Sequence, residues 1–173
     1  MSDGGCDGGA AGARAASAGA RLRPARDDDS DGVIALIASC YAEYPPNVLD
    51  VDGEEPELRA PASRFERFWV VEAADGRIVG SVAAQRAGPA TMELKKYYVA
   101  ADQRGGGWGR RLAEQVEAHA REQGCTLLEL WSDTRFDLGH RVYEALGYRR
   151  SGRSRELHDL SQTTEWHFTK ELA

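Results

Sequence analysis

Gly105, Gly106, Gly107 and Gly109 stand within five positions of one another, with Arg104 before them and Arg110 and Arg111 close behind. Backbone without β-carbons turns tightly and comes close to a ligand that side chains would hold away. Trp108, Leu112, Val116 and Ala120 recur at every fourth position, which predicts a helix with one stripe on a core and Gly124 as its left-handed stop. The loop therefore lies on a helix N-terminus. Unpaired amide N–H groups and the positive end of the helix dipole converge there, and the three arginines add full charges. Such a site holds an anion, and phosphate is the anion it fits.

Two common phosphate loops do not fit. No Lys-Ser or Lys-Thr pair ends the glycine run, so no side chain is placed for a γ-phosphate or its magnesium. The dinucleotide fingerprint Gly-x-Gly-x-x-Gly also fails, because Arg110 or Leu112 occupies the last glycine position. What remains is Arg104-x-x-Gly107-x-Gly109 behind a strand ending Tyr98-Val99. This pattern resembles the acyl-CoA pyrophosphate loop of the GCN5-related N-acetyltransferase (GNAT) superfamily. Residues 134–148 resemble that family's second signature, a helix carrying Tyr-x-x-x-Gly-[Phe/Tyr], here Tyr143, Gly147 and Tyr148. The two signatures come in the right order, with one helix and one strand between them.

The resemblance implies a GNAT acyl-CoA N-acyltransferase fold of mixed α/β (α+β) class. Its mostly antiparallel central sheet has six to seven strands splayed in the middle, with helices on both faces. It also implies acetyl-CoA as the acyl donor, no metal, and direct transfer to a primary amine of a small-molecule or peptide acceptor. Cofactor contacts are expected at Tyr98, Val99, Arg104, Gly105, Gly106, Gly107, Trp108, Gly109, Arg110, Thr134 and Gly139. A backbone N–H near Val99 is expected to polarise the thioester carbonyl.

Tyr143 is the expected acid for the departing thiolate, since a phenol of pKa about 10 is near an alkyl thiol in strength. Gly139, one turn earlier where the family usually has alanine, leaves room for the cofactor beside it. As an alternative, Tyr143 is a core aromatic. Glu93 is the first candidate for general base and Asp133 the second, and either also reads as a paired surface carboxylate. The histidines have no recognisable partner. Two positions depart from the family pattern: Thr134, Arg135 and Asp137 stand where an asparagine is often found, and Trp108 replaces a small aliphatic residue. A CoA-binding sensor or interaction module without chemistry is the rival. Retention of Tyr143 together with the glycine loop favours an enzyme.

These groups need elements to position them. The 173 residues suggest one domain, with residues 1–19, rich in Gly, Ala and Ser, as a disordered tail and residues 20–173 as the acetyltransferase domain. A short strand is expected at 20–26. Acidic Asp27, Asp28 and Asp29 and a capping Ser30 then open a helix whose face is Val33, Ile37, Cys40, Tyr41 and Tyr44, stopped by Pro45-Pro46. Residues 47–64 carry an acidic run, Asp50, Asp52, Glu54, Glu55 and Glu57, followed by a short helix around 61–67. The run reads as a solvated loop, or as a cover on the acceptor site attracting a polyamine, an aminoglycoside or a lysine-bearing peptide. Asp75-Gly76 turns strand 68–73 into strand 77–86, and 91–99 completes a meander. Lys95-Lys96-Tyr97-Tyr98 breaks its alternation as a β-bulge does. Strand 126–131 reads as apolar on both faces, and 148–155 and 163–169 close the sheet.

A net charge of −6 argues against general nucleic-acid binding, and no apolar run is long enough to span a bilayer. No signal-peptide core is read at the N-terminus, so a cytoplasmic protein is expected. Cys6, Cys40 and Cys125 are too scattered for a zinc site or disulfide frame. Oligomeric state stays open, a homodimer included.

Overall fold

The computed structural model describes residues 19–173, so the expected tail lies outside the described residues except for Gly19. Strands β1 (Arg21–Pro24), β2 (Arg67–Glu72), β3 (Ile78–Gly88) and β4 (Thr91–Val99) form an antiparallel meander. Asp75 and Gly76 turn β2 into β3, with Gly76 at φ 85°. Strands β5 (Leu127–Asp133), β6 (Arg149–Glu156) and β7 (Thr164–Glu171) complete one seven-stranded sheet in the order β1-β2-β3-β4-β5-β7-β6. The helices are α1 (Ser30–Tyr41), α2 (Pro61–Arg64), α3 (Trp108–Glu122) and α4 (Asp137–Ala145). No described helix is long and apolar enough to cross a membrane.

β3 is the centre of the core. Its residues Ile78 to Ala84 are buried in succession, and both α1 and α3 pack on it. Burial on both faces is what an apolar run of this length requires. Leu112, Val116 and Ala120 of α3 are fully buried, as their four-residue spacing predicts.

Two parts of the chain open the sheet. β4 runs parallel to β5 but pairs with it only at Thr91, Met92 and Glu93, opposite Leu127, Leu128 and Glu129. On the other side of β4, three steps from Lys95 to Tyr98 match two steps of β3 from Ala83 to Ser81, which is the expected bulge. Lys96 takes φ 50° there, and the Ser81 hydroxyl donates to its carbonyl at 2.8 Å. β5 meanwhile stays paired to β7 along its whole length. Residues 94–99 and 130–133 therefore diverge, and a V-shaped gap opens at the C-terminal ends of two parallel strands.

Three expectations need correction. Ser30 is not the cap of α1 but its first residue. Asp29 precedes it, and its carboxylate is taken up by both Arg23 terminal nitrogens at 2.7 Å and the Arg26 N–H at 2.7 Å. Burial pulls that carboxyl upward, yet the Arg23 and Arg26 bonds outweigh it and hold it below the ordinary range. α1 also ends at Tyr41, before Tyr44. Finally, β5 is not apolar on both faces. Leu128, Leu130 and Ser132 are buried, while Glu129 and Trp131 on the other face are half-buried, with Arg155 of β6 stacked 4.2 Å from the Trp131 ring.

Candidate active site

The glycine loop fits its place for distinct reasons at each position. Gly105 and Gly107 take φ 78° and 82°, the left-handed region that a β-carbon disfavours, and Gly107 is the residue from which α3 starts. At Gly109 the constraint is packing: a β-carbon would lie 2.6 Å from the Tyr97 hydroxyl oxygen. The first bond along α3 runs from the Arg111 N–H to the Gly107 carbonyl at 3.2 Å, and no side chain caps this end. The N–H groups of Trp108, Gly109 and Arg110 are thus free of helical partners and point out of the helix start.

A cleft of about 460 Å³ lies in front of this end, between the C-terminal part of β4 and α4. Its walls include Tyr97, Tyr98 and Val99 of β4, Gly105, Gly107, Trp108, Gly109 and Arg110 of the loop, and Gly139, Val142 and Tyr143 of α4. Ala100 donates its N–H across to Val79 of β3 at 2.9 Å. Successive N–H groups of a strand point to opposite sides, so the Val99 N–H faces the gap. Gln103, 2% exposed, also lines the cleft and keeps its Oε1 without a partner, as Tyr97 keeps its hydroxyl.

Tyr143 sits at the inner end, 7% exposed, with its ring 5.8 Å from Tyr97 and 5.7 Å from Phe168. Burial pushes its hydroxyl up to about 12; the neighbouring Ser132 hydroxyl pulls the other way and the Glu165 charge adds to the rise. A β-carbon on Gly139 would stand 3.8 Å from the Tyr143 oxygen, inside the space in front of it.

The remaining site residues are more dispersed. Arg104 lines the cleft, but its guanidinium is engaged: both terminal nitrogens bond Glu43 at 2.7 Å and Nε bonds the Val99 carbonyl at 3.0 Å. It ties the turn after α1 to the end of β4. Gly106 is exposed on the loop outside the cleft wall, and Thr134 stands outside it too, its N–H given to the Thr164 carbonyl at 2.9 Å. Glu93 lies at the apex of the V, the last position where β4 pairs with β5. It is five residues from Tyr98, about 16 Å of extended strand, and lines neither cavity. Burial pushes its carboxyl up, against the charges of Lys95 and Arg155. Asp133 is buried, accepting from Arg135 at 2.8 to 3.1 Å and from the Asn47 amide at 3.2 Å.

A second cavity of about 320 Å³ adjoins the first, and Tyr98 and Phe136 line both. Segments around residues 47–55 and 157–165 close it, tied by the Val48 N–H to Ser161 at 2.9 Å and the Leu160 N–H to Glu54 at 2.6 Å. Sequence reasoning found the first of these segments but not the second. It also missed Tyr97 beneath Gly109, Ser132 beside Tyr143, and the wall residues Cys40 and Phe136. For Ser132 a signal existed, since it alternates with buried Leu128 and Leu130 on the α4 side of β5.

The profile of the Acetyltransferase (GNAT) family matches residues 33–148. Among solved structures, an acetyltransferase of the GNAT family from Staphylococcus aureus Mu50 superposes with TM-score 0.77 at 19% identity, over 89% of this chain and 99% of that one. An acetyltransferase from Streptococcus agalactiae gives TM-score 0.74 at 20% identity, over 89% and 99%. The yncA protein of Salmonella typhimurium, solved with its cofactor acetyl-CoA, gives 0.66 at 16% identity, over 89% and 94%. At these identities the likeness is one of fold. No curated protein matches the chain significantly.

Proposed function

The chain belongs to the GNAT family of acetyltransferases, and we propose that it moves an acetyl group from acetyl-CoA to a primary amine by direct transfer, with no covalent enzyme intermediate. One observation carries this reading. The unpaired amides at the start of α3, the Val99 N–H and the Tyr143 hydroxyl all belong to one cleft in the splayed sheet. The fit to the donor is supported by the amides, which suit a diphosphate, and by the narrow apolar walls beyond them, which suit a pantetheine arm. Acetyl-CoA, when bound, supplies the thioester that is cleaved.

The chain's own groups have defined tasks. Trp108, Gly109 and Arg110 hold the diphosphate with backbone N–H groups, and the Arg110 charge adds to the helix dipole. Val99 donates its N–H to the thioester oxygen, where negative charge grows as the amine adds. The bond from carbonyl carbon to nitrogen forms and the bond from carbon to sulfur breaks. Tyr143 gives its hydroxyl proton to the departing sulfur. Glu93 takes the amine's proton through water, since it is too far along β4 to touch the acceptor. Asp133, held by Arg135 on the wall of the second cavity, is a positioning residue.

Free-thiol release from acetyl-CoA with a panel of primary amines tests the reaction, because a binding module would take up acetyl-CoA without releasing thiol. Glu93 has its own test. Burial raises its carboxyl, so the base form is gained as pH rises through a value above the ordinary carboxylate pKa of about 4.3. Glu93→Gln is expected to lower kcat by about tenfold to a hundredfold and to remove that ascending limb, leaving only the acceptor's own titration. An unchanged kcat and profile would assign proton removal to another group.

A further inference from the structure

His167 of β7 is buried, and both of its ring nitrogens are bonded. Nδ1 stands 2.7 Å from the Ser151 hydroxyl oxygen of β6, and Nε2 stands 3.2 Å from the Glu129 carboxylate of β5. An ionised carboxylate only accepts, so the neutral ring carries its proton on Nε2 and turns the Nδ1 lone pair toward Ser151. The Ser151 hydroxyl therefore donates to Nδ1. Three strands bring these groups together, and none of the three residues lines either cavity.

Sheet register builds the arrangement. His167 lies directly opposite Trp131 of β5, with the two rings 4.6 Å apart, on the face away from Ser132. Glu129, two residues before Trp131, shares that face. On β6, four steps from Arg150 to Ser154 match two steps of β7 from Phe168 to Trp166, so Ser151, Gly152 and Arg153 form a bulge opposite His167. Gly152 takes φ 86° within it. A bulge re-aims a side chain. Here it sets the Ser151 oxygen on the imidazole while Ser151 itself stays exposed, and that oxygen also accepts the Arg153 N–H at 3.3 Å.

An accessible hydroxyl, a buried imidazole base and a carboxylate that fixes its tautomer are the parts of an activated nucleophile, whichever fold carries them. We infer that Ser151, His167 and Glu129 form a second catalytic centre, separate from the acetyl-transfer cleft, which hydrolyses small carboxylic esters through an acyl-serine. The Ser151 oxygen bonds to the ester carbonyl carbon as its proton passes to Nδ1 of His167. The carbon–oxygen bond to the alcohol breaks, and the alcohol leaves with that proton. Water then attacks the acyl-serine, gives a proton to Nδ1 and releases the carboxylic acid, and the proton returns to Ser151. The Arg153 N–H lies beside the attacking oxygen, where negative charge grows. Glu129 touches only the imidazole and is a positioning residue. An exposed serine outside both cavities suits a small ester.

Labelling the full chain with a fluorophosphonate tests the nucleophile, because an activated serine oxygen displaces fluoride from phosphorus. Mass spectrometry should place the label on Ser151. Ser151→Ala should abolish labelling and lower hydrolysis of para-nitrophenyl acetate at least about a hundredfold, with the melting temperature unchanged. Glu129→Gln keeps the side chain's shape but can donate to Nε2, so the proton is no longer fixed there. It should slow labelling and hydrolysis at least about tenfold. Nitrogen NMR of the His167 ring should show Nε2–H in the unaltered chain and lose that preference in the variant. No label, a label on another residue, hydrolysis unchanged in Ser151→Ala or labelling unchanged in Glu129→Gln would overturn the inference and leave these bonds as packing. Neither probe contains coenzyme A, so the outcome stands apart from the acetyl-transfer reading.

Discussion

Gly109→Leu is expected to weaken acetyl-CoA binding at least about a hundredfold in titration calorimetry, close to 2.7 kcal/mol. A β-carbon at this position falls 2.6 Å from the Tyr97 hydroxyl oxygen, and no real β-carbon tolerates that approach. Tyr97 packs on Tyr143 and lines the cleft, so any displacement of its ring reshapes the cleft wall. Either the first turn of α3 or the Tyr97 side chain must move, and both form the cradle of unpaired amides. Gly107→Ala provides the contrast. A β-carbon there meets nothing within 4 Å, so its penalty is the left-handed backbone at φ 82°, about 1–2 kcal/mol. It should weaken binding less than Gly109→Leu. Unchanged affinity in the leucine variant would show that the loop does not hold the diphosphate.

Tyr143→Phe is expected to lower kcat by about 10² to 10³ while the acetyl-CoA Kd stays within about twofold, the range general-acid catalysis supplies. With its hydroxyl pushed up to about 12, Tyr143 remains protonated across any practical assay range, so no alkaline fall in rate below that pH belongs to it. An ordinary phenol of about 10 stands close to a thiol of about 8.5, and burial widens the gap. The thiolate, however, leaves into the same dry cleft, where exclusion of water raises its proton affinity too. The difference between the two groups, rather than the tyrosine alone, sets the barrier. Turnover unaffected by the phenylalanine would pass the acid role to another group or to water.

The features that were readable from sequence are those fixed by local spacing. β4 runs from Thr91 to Val99, the bounds of the third run of the meander, and α3 starts at Trp108 behind a left-handed glycine. The bulge showed as a break in alternation at Lys95 to Tyr98, because an extra residue must shift the side chains that follow to the other face. The roles that were not readable depend on partners far along the chain. Arg104 looked free for phosphate, yet Glu43, sixty-one residues away, takes its guanidinium. Thr134 was placed by analogy with a loop asparagine, and its backbone is instead engaged by β7. The acidic run at 50–57 could be seen, but only folding brings Asp159 and Glu165 opposite it.

The central claim is that main-chain amides at the start of α3 grip a diphosphate. Titrating the unaltered chain with acetyl-CoA and, separately, with S-acetylpantetheine tests it most directly, because the second compound keeps the thioester and arm but has no diphosphate. The account predicts that acetyl-CoA binds at least about a hundredfold more tightly. Equal affinity for the two compounds, or no heat with acetyl-CoA, would contradict it.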